Sequence, residues 1–172
     1  VTSIGGPGRV VTLVKQAIGD REVEKINSSD ENLTIVEENE EKAYQVVSEE
    51  FGAELARIYN GPEDMTFQRM EFDSAMQMAE LIYYLKNETV VYCINASYKN
   101  ASWGVDVEDQ VTEQYEQQIN GYNMEIKKYK TPKTNTERYS ARFEYKGLEY
   151  FLIGTMTEDE FDLIINNLFF LK

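Results

Sequence analysis

Two glutamates, Glu144 and Glu149, flank the dipeptide Lys146-Gly147. With Lys146-Gly147 as a hairpin turn, their side chains come out directly opposite each other. A pair of carboxyl groups acting as acid and base on a sugar is the one hydrolytic chemistry open to a chain without histidine and with a single cysteine. Like charges directly opposite on a sheet repel mildly, so the pair is either solvated or held near something cationic. Outward side chains beside a tight turn have no walls to exclude water, which favours the solvated reading. Trp103, the only tryptophan, lies in a polar loop leading to Asp106, Glu108 and Asp109. An exposed indole beside carboxylates would bind a ligand or cation, whereas an indole anchoring its own loop is the commoner arrangement. Trp103, Asp106, Glu144 and Glu149 are thus weak ligand-binding candidates, and no residue stands out as catalytic, cofactor-binding or metal-ligating.

What the chain lacks excludes more than these residues suggest. The absence of histidine removes His-based triads, a histidine general base near neutral pH and Cys/His zinc sites. Cys93 sits in the apolar run Val90-Val91-Tyr92-Cys93-Ile94, where burial raises a thiol pKa and makes it inert. A formal charge of −14 repels phosphate backbones and anionic lipid, so nucleic acid is not an expected partner. Lys127, Lys128, Lys130 and Lys133 form the one basic concentration, read as an anion patch or a solvated strand end. Gly5-Gly6-Pro7-Gly8 follows no visible strand, so it is not read as a phosphate loop and no cofactor is expected. Five N-x-[ST] sequons begin at Asn27, Asn32, Asn87, Asn95 and Asn100 and are assigned no role.

The elements that would position these residues follow from periodicity. Residues 1–8 read as a linker and residues 9–172 as one domain. Val10, Leu13, Val14, Ala17 and Ile18 have helical spacing, with Gly19 as a C-terminal cap. Short strands are expected at 22–26 and 33–36. A second helix starts at the acidic cluster 37–41, capped by Asn39, with Ala43, Tyr44, Val47 and Phe51 as its stripe and Gly52 as its stop. The same cluster lacks the alternating Asp/Asn and central Gly of a calcium loop. Around Gln68-Arg69 the alternation slips phase, which predicts a strand with a bulge or a break rather than a uniform one.

Three hairpins come next. With Asn87-Glu88 as a turn, Leu85 faces Val90, Tyr83 faces Tyr92 and Leu81 faces Ile94, in a strand pair covered on both sides. Asn120-Gly121 is the strongest turn signal, placing Val111, Tyr115 and Ile119 on a face with Tyr122, Met124 and Ile126. Lys146-Gly147 pairs Tyr145 with Leu148, Phe143 with Tyr150 and Ala141 with Leu152. Then Thr157-Glu158-Asp159-Glu160 is a capping box, Met156 and Phe161 a hydrophobic staple, and Phe161, Ile164, Ile165 and Leu168 a docking stripe.

The pattern YSARFEYKGLEYFLIGTMTEDEFDLIINNLFF, with TSIGGPGRV and EENEEKAYQVVSEEFGAE upstream, resembles the bacterial domain of unknown function family 4367. That resemblance implies an extracytoplasmic part of a membrane-anchored protein, as in Gram-positive bacteria, and brings no catalytic residues with it. A likeness of such domains to lipoprotein carriers is one of fold and supplies no function. A start at Val1 rather than Met fits a leader or anchor lying upstream, and membrane contact would come only through that segment.

The expected fold is α+β: a mainly antiparallel sheet of about six to eight strands from successive hairpins, packed against two N-terminal helices and one C-terminal helix. The expected function is a non-catalytic, extracytoplasmic sensing or protein-interaction domain whose partner is a protein or small molecule. A carrier for lipid or another apolar ligand is the first alternative, and a carboxylate-based hydrolase the second.

Overall fold

The computed structural model describes residues 34–96, 110–130 and 137–170. In chain order the elements are β1 (Thr34–Glu37), α1 (Glu40–Phe51), β2 (Arg57–Ile58), β3 (Met65–Asp73), β4 (Met78–Leu85), β5 (Glu88–Asn95), β6 (Gln110–Ile119), β7 (Tyr122–Lys130), β8 (Glu137–Tyr145), β9 (Leu148–Thr155), α2 (Glu158–Asn166) and β10 (Leu168–Phe169). The fold is α+β: a fully antiparallel eight-stranded sheet in the order β1-β3-β4-β5-β9-β8-β7-β6, a small β10-β2 ribbon and, among the described residues, two helices. The expected first helix, the strand at 22–26 and the linker at 1–8 lie outside the described residues.

Both helices form where their end signals stand. The Asn39 side chain accepts from the Lys42 amide, Glu40 and Glu41 occupy the positive end of the helix, and Gly52 ends it in the left-handed conformation at φ 63°. At α2 the Thr157 side chain accepts from the Glu160 amide at 3.2 Å while Glu160 accepts from the Thr157 amide at 2.9 Å, closing the capping box. Lys86, at a hairpin tip, adds an ion pair to the same Glu160 at 2.7 Å. The staple residues Met156 and Phe161 are both buried. Leu168 is buried too, but as part of β10 opposite Ile58, because the helix has already ended at Asn166.

The β8–β9 register is as the turn chemistry predicts: Tyr145↔Leu148, Phe143↔Tyr150 and Ala141↔Leu152, around Lys146 and Gly147 at φ 50° and 83°. The β3 bulge falls between Phe67 and Arg69, where the alternation slips. The β4–β5 hairpin departs from expectation. Its turn is Lys86-Asn87, both at positive φ, so Leu85 faces Glu88, Tyr83 faces Val90 and Leu81 faces Tyr92. Asn87 accepts the left-handed conformation, and Lys86 is the residue forced to share it. The slip is two positions, an even number, so every side chain keeps its expected face. Val111 is a second correction: a bulge between Val111 and Glu113 turns it opposite Tyr129 and away from the face of Tyr115 and Ile119.

One sheet face lies under both helices and carries the main core, including Tyr44, Val47, Phe72, Leu81, Tyr92, Ile126, Leu152, Phe161 and Ile165. Across the β8–β9 end of that face the rings interlock: Phe143 stacks on Tyr150 at 4.8 Å, Tyr122 on Phe170 at 4.7 Å, and Tyr145 meets Phe170 edge-on at 5.2 Å. The other face holds a smaller apolar cluster of Met78, Val91, Cys93, Tyr129, Phe151 and Ile153. Both faces of β5 and β9 are therefore buried, which is why neither strand reads as a simple apolar/polar alternation. These two strands are not neighbours in sequence, and they meet closely at Val90↔Gly154. A Cβ on Gly154 would lie 2.8 Å from the Val90 side chain and 3.2 Å from its Cα.

Candidate functional site

The register brings Glu144 and Glu149 directly opposite each other on the second sheet face. The solvated reading holds for only one of them. Glu144 is exposed, whereas Glu149 is 8% exposed and lies between Glu144 on β8 and Asn95 on β5, itself buried. Arg142, two residues before Glu144, reaches Glu149 diagonally, with its Nε 3.6 Å from Glu149 Oε2. The other oxygen, Oε1, is buried without a hydrogen-bond partner. Burial pushes the Glu149 carboxyl above its ordinary value, the Arg142 guanidinium opposes that shift and the Glu144 charge adds to it. Arg142 was legible once the register was read, because it lies on the same face two positions along. The wall that excludes water from Glu149 was not legible, since it depends on long-range packing.

For acid–base work on a sugar, two carboxyl groups must face each other across a gap that holds the substrate. Here they sit side by side on neighbouring strands and point the same way out of the sheet, with a guanidinium beside one of them. That arrangement fits a charge pair in a sheet face.

The buried tyrosines are spent on structure. Tyr83 donates to Glu40 Oε2 at 2.8 Å, so Tyr44 gives its own proton to the Tyr83 oxygen at 2.9 Å and accepts from the Ile58 amide at 3.1 Å. Tyr92 donates to the Ala56 carbonyl at 2.7 Å, and the Ala56 amide donates to Tyr150 at 2.9 Å. Three hydroxyls, from α1, β5 and β9, thus pin the backbone of Ala56 and Ile58, and the Tyr83 hydroxyl of β4 links Tyr44 to Glu40. Burial pushes the Tyr44, Tyr83, Tyr92 and Tyr150 hydroxyls above the ordinary range. Tyr139 is raised to about 12 by burial and by the Glu137 carboxylate, against the Lys128 ammonium. None is set up to give or take a proton near neutral pH.

The family model for a domain of unknown function, DUF4367, matches residues 55–168, well over half of the chain. The chain belongs to the DUF4367 family. The match contains the β8–β9 hairpin and the capped helix, and it begins after α1. Searches of curated proteins and of solved structures return no match.

Elsewhere in this DUF4367 domain the sequence candidates separate. Trp103 and Asp106 lie outside the described residues, as do Glu108 and Asp109. Successive residues of β7 point to opposite faces, which divides the basic concentration: Lys128 bridges Glu137 at 3.2 Å and Glu113 at 3.7 Å, while Lys127 stands on the other side. Lys133 is outside the described residues. The acidic cluster serves the start of α1: Glu37 accepts from the Asn39 amide, and Glu41 holds Arg57 through both nitrogens at 3.0 and 3.1 Å, with that guanidinium 4.4 Å from the Tyr44 ring centroid. Cys93 is fully buried, and burial followed by the Glu80 charge pushes its thiol up. Among the described residues no group of three or more His, Cys, Asp or Glu could hold a metal ion, and no helix is long and apolar enough to cross a membrane.

The surface feature that sequence reasoning passed over is β6. It is the outermost strand, and among the described residues it pairs with β7 alone. Val111 through Glu116 are all exposed, including Val111 at 45% and Tyr115 at 39%. Its Gln- and Glu-rich composition was the available signal, because such residues fit a strand whose sides face water rather than a packed one.

Proposed function

We propose that this DUF4367 domain is a non-catalytic interaction domain that displays a protein- or ligand-binding surface outside the cytoplasm, on a chain tethered to the membrane. The observation that carries the binding part is the contrast between a filled, internally bonded interior and the long exposed strand β6. The hydroxyls of Tyr44, Tyr92 and Tyr150 are committed to backbone or to one another, and one oxygen of Glu149 pairs with Arg142. On the core side of the sheet the rings of Phe143, Tyr145, Tyr150 and Phe170 pack against one another, which favours a rigid display scaffold over a carrier. The extracytoplasmic, tethered part rests on the family resemblance alone.

Site-specific photo-cross-linkers placed at the exposed residues Gln118 on β6, Tyr59 after β2 and Asn87 at the β4–β5 turn test the binding reading in the source cell. Discrete adducts with a defined protein from at least one position are expected. The reading falls if all three stay silent while the purified domain turns over a glycoside or other ester or acetal substrate and loses that activity in Glu149→Gln. A topology reporter fused to the C-terminus of the full-length protein tests location, and activity on the cytoplasmic side would overturn that part.

A further inference from the structure

We infer that the edge of β6 left unpaired among the described residues is a docking site for an extended, basic peptide segment, which adds to the sheet as a further antiparallel or parallel strand. This deepens the interaction-domain reading and rests on it.

The hydrogen-bonding capacity follows from the turn. In a two-residue hairpin the closing pair, here Ile119↔Tyr122, exchanges its backbone bonds, and the pattern alternates from there. Ile119, Gln117, Tyr115 and Glu113 therefore turn their N–H and C=O groups toward β7. Gln118, Glu116 and Gln114 turn theirs outward. The bulge between Val111 and Glu113 ends the regular run, so the docking segment spans 113–119. An edge of this kind offers three donors and three acceptors to a strand laid beside it.

Charge selects the occupant. Glu113 and Glu116 lie on the strand, and Glu158 and Asp162 of α2 stand close enough to Tyr115 to raise its hydroxyl pKa, after burial as the larger cause. Lys128, the ammonium on this side, is already shared by Glu113 and Glu137. Tyr115, partly exposed beside these carboxylates, offers a ring face to a lysine or arginine side chain. A chain carrying −14 overall repels an acidic partner from the same edge. A second copy is disfavoured for the same reason: two β6 edges paired antiparallel bring glutamates of both copies against one another.

The probe is a short capped peptide alternating lysine and threonine, titrated into the domain by fluorescence anisotropy, alongside the same peptide N-methylated at alternate residues. N-methylation keeps every charge and removes the backbone donors on one edge. Expected is saturable binding that weakens as salt rises, falls about tenfold for the N-methylated peptide and falls similarly in Gln114→Pro. Proline is tolerated where the N–H faces away from the ladder, so the melting temperature of Gln114→Pro should stay within a few degrees of the parent, and the methylated peptide gives the same answer without altering the protein. Glu113→Gln/Glu116→Gln should weaken binding severalfold and flatten the salt dependence. If binding is insensitive to N-methylation, only diffuse charge attraction operates and the strand-addition proposal falls. If the peptide does not bind while cross-links arise from Tyr59 or Asn87, the proposal falls and the interaction-domain reading stands. Concentration-dependent dimerisation abolished by Gln114→Pro would replace the peptide with a second copy and overturn the inference.

Discussion

β9 and β6 are strands of one sheet and carry opposite instructions. β9 is covered on both sides, hydrogen-bonded on both edges, and lends a tyrosine hydroxyl to the backbone of Ala56. β6 is exposed on both sides from Val111 to Glu116 and, among the described residues, is bonded on one edge. The difference teaches where variation can be absorbed: at β9 each atom has a neighbour whose position depends on it, whereas at β6 the side chains are answerable mainly to solvent and to a visiting partner.

The largest expected effects break the buried side of that comparison. Phe161 is fully buried, stacked at 4.9 Å on Tyr139, and is the helix's half of the staple. Phe161→Ala should cost about 3–5 kcal/mol in urea unfolding, while Val111→Ala on β6 should change stability by less than about 0.5 kcal/mol. Equal costs would mean that the two regions do not differ as described. Next comes Gly154→Ala, which drives a methyl group toward the Val90 backbone as well as its side chain; overpacking of this kind costs about 1–3 kcal/mol. Tyr92→Phe and Tyr150→Phe leave the Ala56 carbonyl and amide without partners, for about 1–3 kcal/mol each. Because both act on one residue, a double-mutant cycle should show their costs to be non-additive.

These contrasts were unevenly legible in the sequence. Local chemistry was readable: the caps at Asn39 and Thr157, the Gly52 stop, the β3 bulge and the Lys146-Gly147 register each depend on a few adjacent residues. The Lys86-Asn87 turn was misplaced by one residue, since Asn-Glu and Lys-Asn are both acceptable turn pairs and only the packing of both strands decides between them. Its consequences were slight because an even slip preserves faces. The tyrosine bonds to Ala56 and Ile58 span up to 94 positions in the chain and leave no local trace. Burial of Glu149 escaped for the same reason. A tight turn suggests water on all sides, yet Glu149 lies between two strands, beside the buried Asn95 of β5, and is itself buried while Glu144 stays exposed.

Thr157 and Glu160 give a smaller effect with a pH signature. Thr157→Ala removes the cap and should cost about 1 kcal/mol. Burial works against ionised Glu160, but the Lys86 ammonium and the Thr157 groups outweigh it and hold the carboxyl below its ordinary value. A depressed folded-state value stabilises the fold above the unfolded-state pKa, about 4.3, and that contribution is lost as pH falls through the folded value. Glu160→Gln should therefore lower the melting temperature near neutral pH and converge on the parent in acid. A gap that persists unchanged below pH 3 or so would assign the loss to geometry rather than charge.

The smallest effect separates the two glutamates themselves. Glu149 is raised chiefly by burial and secondarily by the Glu144 charge, with Arg142 pulling the other way. A raised folded-state carboxyl favours the fold in its protonated form, so its contribution is present below the unfolded-state pKa and is lost as pH rises through the folded value. Glu144→Gln removes only the secondary cause. The Glu149 carboxyl carbon, followed by NMR, should then titrate at lower pH than in the parent yet still above the ordinary glutamate value, and the displacement should shrink at high salt because Glu144 is exposed. If Glu149 instead falls to the ordinary value once Glu144 is neutral, repulsion rather than burial governs it. The carboxylate would then be as open as its neighbour, and the second face of the sheet would carry a solvated pair after all.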